Sequence, residues 1–215
     1  MNVNNIQQYN NFGGIPLYRA TLATKSVFSK KTAPIKAFVS VIEKSDLDRP
    51  ALCHSKWDKT NYGGEIIDEF ELVASGCLKS NIMRYLFVDV PKASPKEQVK
   101  AMAMYHVGAD NINLQLLQSE NQLKWFKKTK AAGSMIIYAL TKIAEKLGKK
   151  AVTVDADRAA YKFYEKMGMK ISKTDVSYRD YGRYYILPRK MFKDFQKKIE
   201  EKFGVVPVRE NIQTL

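Results

Sequence analysis

Two short segments of the chain hold residue types whose spacing can support chemistry. The first is Lys128-Thr129-Lys130-Ala131-Ala132-Gly133-Ser134, where small side chains stand directly ahead of a long apolar-periodic run. Without bulky side chains, backbone can approach a ligand closely. The first N–H groups of a helix lack intrahelical partners and sit at the positive end of its dipole. Such a helix start suits a phosphate, with Lys128 and Lys130 adding charge. The segment is not a P-loop, since no Gly-x-x-x-x-Gly-Lys-Ser/Thr pattern is present. Tight packing of small residues would leave the same trace. The second segment runs from Asp157 to Met169. Here Ala160, Phe163 and Met167 share one helical stripe, and Asp157 is placed to cap the helix. Tyr164 lies beside the stripe, so its ring can be half-buried with its hydroxyl in a cleft. It can equally be the boundary tyrosine of an ordinary helix. His54 and His106 pair with no plausible nucleophile, and Cys53-His54 reads as a chance neighbour pair rather than a metal site.

The elements that must carry these segments follow from periodicity. Residues 35–42 are β-rich and predict a strand. Residues 66–74 alternate acidic and apolar side chains, which predicts a half-buried strand. Residues 82–90 predict another, stopped by Pro91. Ser94 as cap, Pro95 in the first turn and Glu97 three residues after the cap predict a helix to about Tyr105, ending near Gly108. A strand is expected over 112–118. Residues 134–147 place Ile136, Ile137, Leu140, Ile143, Ala144 and Leu147 at helical spacing, with Gly148 as the stop. A short buried strand over 150–154 precedes a helix over 157–167, ended by Gly168. Strands over 169–174 and 183–187 follow. Then comes a basic amphipathic helix over 189–203 with Phe192, Phe195, Ile199 and Phe203 on one stripe. Residues 1–16 are polar and Asn-rich and read as a flexible extension, leaving 17–215 as one domain. Strands alternating with helices make that domain α/β or α+β.

Composition narrows the class. Of 215 residues, 45% are hydrophobic, which fits a globular chain and excludes a disordered one. Two cysteines exclude a disulfide framework or a Cys-rich zinc site. No apolar run is long enough to cross a membrane, and the first residues lack the pattern of a secretory signal. A soluble, cytoplasmic protein with no membrane partner is expected. The 36 basic residues exceed the 22 acidic ones, for a net charge of +14. Residues 131–215 carry 18 basic and 10 acidic residues, a net of +8, without any basic block. A folded basic surface therefore keeps a nucleic-acid partner open. Oligomeric state is not readable.

Taken together, the two segments resemble the GNAT superfamily of acyl-CoA-dependent N-acetyltransferases. That family's phosphate loop follows Arg/Gln-x-x-Gly-x-Gly/Ala. Lys128 stands at its Arg/Gln position, Ala131 at the first Gly and Gly133 at the second. The later family motif is Asn-x-x-Ala-x-x-Phe-Tyr-Glu-Lys-x-Gly-Phe. Asp157, Ala160, Phe163, Tyr164, Glu165, Lys166, Gly168 and Met169 match or nearly match it. The resemblance covers about residues 112–190. Two departures stand out. Ala131 replaces a Gly, so the loop is expected to avoid positive φ there, and Asp157 replaces Asn with a charged isostere.

The resemblance implies a mixed, mostly antiparallel sheet flanked by helices, with an acceptor-side half over 17–110 and a CoA-binding half over 111–190. It implies acetyl-CoA as co-substrate, its pyrophosphate held by the amides of Ala131, Ala132, Gly133 and Ser134, with Lys128 and Lys130 as charge partners. The ligand would lie between strands near 112–120 and 150–155 that splay apart, close to Val152, Val154, Asp157 and Ala160. A backbone N–H of Val152 to Val154 would contact the oxyanion. Tyr164 would protonate the departing thiolate, because a phenol stays protonated at neutral pH. Glu120 is the candidate base, with a solvated loop carboxylate as the equal alternative. Asp68, Glu69 and Glu71 are candidates to line a cationic pocket or to be plain surface. The acceptor would be the amine of a small molecule, a protein or an aminoacyl-tRNA. A non-catalytic CoA- or nucleic-acid-binding module on the same fold is the competing expectation.

Overall fold

The computed structural model describes residues 15–25, 32–42, 57, 60, 62–76, 83–91, 93, 95–120, 128–172 and 182–208. Most of the expected N-terminal extension, Cys53-His54 and the Ser94 cap lie outside these residues, and the first strand already begins at Ile15.

Among the described residues ten strands form one sheet. In chain order they are β1 (Ile15–Lys25), β2 (Thr32–Ile42), β3 (Met83–Asp89), β4 (Val99–Val107), β5 (Asn111–Ser119), β6 (Lys128–Lys130), β7 (Ala151–Ala156), β8 (Lys170–Ile171), β9 (Arg183–Pro188) and β10 (Val206–Pro207). Their order across the sheet is β10-β1-β2-β3-β4-β5-β7-β9-β8, with β6 also on β1. Every pairing is antiparallel except β5 with β7. That parallel pair needs a crossover, supplied by the helix α3 (Ala132–Lys146).

Three further helices pack on the sheet: α1 (Gly63–Ala74), α4 (Tyr161–Lys166) and α5 (Phe192–Phe203). A single turn, α2 (Pro95–Gln98), leads into β4. The main core sets α3 and the Phe192, Phe195 and Ile199 stripe of α5 against one face of the sheet. A second core sets Ile66, Ile67, Phe70 and Ala74 of α1, with Trp57, against Tyr85, Phe87, Val99, Met102 and Met104. Among the described residues no helix is long and apolar enough to cross a membrane.

Two expectations are corrected. Residues 66–74 are helical, not a strand. In a strand, Asp68 would share a face with Ile66 and Phe70; at helical spacing Gly63, Ile66, Ile67, Phe70 and Ala74 go inward together. The acidic residues between them are then released from the core. The helix expected to run to Tyr105 stops after one turn, and Val99–Val107 is a strand at the heart of the sheet. Its Ala and Met residues favour helix intrinsically, but burial on both faces overrides that preference. Ala101, Ala103 and Tyr105 enter the α3-side core, and Met102 and Met104 the α1-side core. β1, which no sequence pattern flagged, pairs along its length with β2.

Gly63 is fixed by packing. A Cβ there would lie 2.7 Å from the Trp57 Cβ and also strike the Thr60 hydroxyl, which accepts the Gly63 N–H at 2.9 Å. Gly63→Ala gains up to about 1 kcal/mol of helix propensity, but overpacking costs roughly 1–3 kcal/mol. Urea unfolding is therefore expected to show a net loss of about 1–2 kcal/mol, and a gain would refute this packing.

Candidate active site

The site begins where the parallel pair parts. Asn111–Leu114 of β5 register with Ala151–Val154 of β7, and no further pairing links them. β7 continues beside β9 through Asp155 and Ala156, while β5 continues beside β4 to Ser119. Gln115 is an extra residue in the β5 ladder, a bulge at the point of divergence. One prong, Gln115–Ser119, therefore has an open edge facing the other. Val152 and Val154 lie in the closed part, with register partners on both sides, so the open edge of the fork is on β5 and not at the expected Val152–Val154 amides.

α3 begins at this fork without a side-chain cap and without an acidic residue in its first turn. Ala132, Gly133 and Ser134 are buried there, and their amides belong to the set that a helix leaves unpaired. Ala131 precedes them at φ 70°, a left-handed conformation. The expectation that an alanine would keep this loop out of positive φ is thus overturned. Ala131 is the sole non-glycine with positive φ among the described residues, and the strained turn aims the chain from β6 into the helix.

The two sequence segments meet physically. A Cβ on Gly133 would lie 3.2 Å from the Phe163 ring and 3.8 Å from Leu117 of β5. A glycine lets the α3 start, the open prong and the second segment converge this closely without displacing the Phe163 ring. Asp157 caps the turn after β7, its Oδ1 accepting the Ala160 N–H at 3.1 Å. Next along, Tyr164 is 4% exposed, with Phe163 edge-on at 5.0 Å and the Tyr185 ring at 5.8 Å. Tyr185 in turn donates to Glu165 at 3.0 Å, which ties α4 to β9. Burial, then the Asp157 charge, then Tyr62 raise the Tyr164 phenol above its ordinary pKa.

Glu120 directly follows β5, and it is fully buried rather than solvated. Its Oε2 meets the Lys100 ammonium at 2.9 Å and its Oε1 accepts the Thr129 N–H at 2.7 Å. Lys100 is the extra residue of a bulge in β4. The pair thereby joins β4, the open prong and β6 at the entrance of the loop. Lys130 is exposed just after this anchor, and the Lys128 backbone registers with Lys25 of β1.

Sequence reading missed three members. Tyr62 donates its backbone N–H to Gln118 Oε1 at 3.2 Å and its hydroxyl to Asp157 Oδ2 at 2.7 Å. It spans the fork from prong to prong, a position that no local pattern announces. Lys100 did leave a signal, a lysine within the apolar run Val99–Met104. Of the α1 carboxylates, Glu65 acts on the Tyr62 hydroxyl, and not the expected Asp68, Glu69 or Glu71.

The fold recurs in solved proteins. A protein of Desulfovibrio desulfuricans assigned to the GNAT acetyltransferases superposes with a TM-score of 0.50 at 13% identity, over 70% of this chain and 99% of that one. A second GNAT-assigned protein, from Chromobacterium violaceum, gives 0.50 at 12% identity, over 73% and 90%. The fold is the GNAT acetyltransferase fold. No protein-family model matches the sequence, and no curated protein matches it.

Two outcomes test the geometry. A left-handed alanine costs roughly 1–2 kcal/mol, of which the unfolded-state freedom of glycine cancels about 0.5–1 kcal/mol. Ala131→Gly should thus stabilise the protein by about 0.5–1 kcal/mol in urea unfolding; destabilisation would show that the turn is not left-handed. Lys100→Ala leaves a buried carboxylate without its cation and should cost about 3–5 kcal/mol, most of which the added change Glu120→Gln should restore.

Proposed function

We propose that this chain is an acyl-CoA-dependent N-acetyltransferase. The observation that carries the reading is the convergence of three features at one point: an uncapped helix start, an open strand edge and a buried tyrosine. The amides of Ala132, Gly133 and Ser134 hold the pyrophosphate of acetyl-CoA, with Lys130 adding positive charge; the Lys128 side chain lies outside the described ones. The edge of Gln115–Ser119 receives the extended arm as an added strand would be received, and an N–H of this edge faces the acyl oxygen. Val152 and Val154 form the floor of the fork.

Acetyl-CoA supplies an acetyl group activated as a thioester, so attack by an amine forms a C–N bond as the C–S bond breaks. Tyr164 donates its proton to the departing sulfur, and the proton that the attacking nitrogen sheds passes to solvent, from which the phenol is restored. Its raised pKa keeps that proton in place at neutral pH. An ordinary phenol is a weaker acid than a thiol by about 1.5 pKa units, or roughly 2 kcal/mol, and burial widens the gap. Donation therefore accompanies C–S cleavage and does not precede it. Glu120, with both oxygens engaged by Lys100 and Thr129, serves to fix the loop and not to take the amine proton.

Calorimetric titration with acetyl-CoA and acetyl transfer to a panel of amines and charged tRNA test the reading together. Binding in the micromolar range is expected, and none at millimolar ligand would overturn it. Tyr164→Phe should lower turnover by about 10²–10⁴-fold while sparing acetyl-CoA affinity; unchanged turnover would remove Tyr164 as the acid. Because its pKa is raised, loss of the Tyr164 proton should not depress kcat/KM below about pH 10.

A further inference from the structure

The fork carries a second group of side chains that acetyl-CoA binding leaves unused. Tyr62 closes the mouth by bonding Gln118 on one prong and Asp157 beyond the other. Its phenol is pushed up to about 12 by the hydrogen bond to Asp157, then by burial, and by the charges of Asp157, Glu65 and Asp155. Tyr164, deeper in, senses Asp157 and Tyr62. The groups thus form a graded line: Tyr164 innermost, then Tyr62 with Asp157, then the exposed Glu65 and Asp155. Gly182 leaves room for the outermost of these, since a Cβ there would lie 2.9 Å from Asp155 Oδ1.

Two observations point to a ligand at this line. First, Glu65, Asp155 and Asp157 have no Lys or Arg ion-pair partner among the described residues, although the chain carries a net charge of +14 and five other carboxylates are so paired. Adjacent carboxylates without counter-charge repel one another, and a cation between them relieves the repulsion. Second, Tyr164 is 4% exposed and its hydroxyl has no hydrogen-bond partner among the described residues, while the charges of Asp157 and Tyr62 reach it. The Tyr164 hydroxyl is not sealed off from the surface, so a bound molecule can reach it and supply the partner.

We propose that Tyr62, Asp157, Asp155 and Glu65 form the acceptor subsite, and that the acceptor is a small amine bearing a second positive charge. The proposal rests on the acetyltransferase reading and adds the class of acceptor to it. The reacting nitrogen must be neutral beside Tyr164, so the outer carboxylates serve a different nitrogen. Glu65 and Asp155, which act on Tyr62 but stand beyond Tyr164, hold that distal ammonium. A phosphate-rich acceptor would meet three uncompensated negative charges at the same place.

The test uses the full chain, 1,4-diaminobutane and n-butylamine, with the double variant Glu65→Gln/Asp155→Asn. Both residues are exposed, so the fold should tolerate the change. The diamine should be preferred over the monoamine in kcat/KM by roughly tenfold, the scale of two exposed charge pairs. In the double variant that preference should fall towards unity, with acetyl-CoA affinity unchanged. Equal use of the two amines, a preference that survives the double change, or charged tRNA as the better acceptor would overturn the proposal. Calorimetry with 1,4-diaminobutane alone separates the two readings. Should acetyl-CoA fail to bind, the transferase reading falls by itself. Diamine binding that weakens in the double variant would still support the subsite, and absence of diamine binding would sink it.

Discussion

Beyond Leu114 and Val154, β5 and β7 no longer share a ladder, and a sheet that loses a ladder leaves backbone groups in want of partners. Such a gap closes or fills with water unless something holds its sides apart. Three contacts do so here. The Lys100–Glu120 pair anchors the far end of one prong to β4 and β6. The Phe163 ring wedges against Gly133 at the base of α3. Tyr62 clasps the mouth, its backbone N–H on Gln118 and its hydroxyl on Asp157. The two bulges, at Lys100 and Gln115, belong to the same device. Each adds a residue to a central strand, bends it locally and re-aims a side chain.

Charge is laid out across the fork with a direction. The start of α3 presents unpaired amides and the positive end of a 15-residue helix, with an exposed lysine nearby. The opposite side presents carboxylates. A chain of strong positive net charge therefore encloses a small site with one sign at each end. Net charge describes the whole surface and says little about such a place. A ligand with an anionic end and a reacting end near a cation would enter one way round.

The sequence revealed the elements whose periods are local and unshared. α3 has a long apolar stripe and a glycine stop, and Asp157 is a cap by chemistry alone. Both needed no knowledge of neighbours. β4 and α1 misled because their patterns are resolved only by what lies beside them. Val99–Val107 is buried on both sides, so its side chains show no alternation that a sequence can display. The acids of α1 fall where either period can explain some of them, and only the joint burial of Ile66, Ile67 and Phe70 decides. Tyr62 was illegible for another reason. Its partners are 56 and 95 residues away, and no local spacing encodes such a contact. Ala131 shows the reverse failure: a sound local rule about positive φ gave way because the strand before it and the helix after it are both fixed.

β1 offers its outer edge twice, to β10 at Tyr18 and Arg19 and to β6 at Ala23 to Lys25. The opposite border of the sheet is β8, two residues long and including a lysine. A free strand edge is a template for pairing with another chain, and long apolar edges invite fibrillar association. In this protein the border beside β1 is closed by the same short strand that delivers the chain into the loop. Opening that strand would therefore do two harms at once. It would unfasten the ligand loop, and it would bare the end of an eleven-residue strand to any neighbouring molecule. Loss of activity and onset of aggregation would then share a single first event.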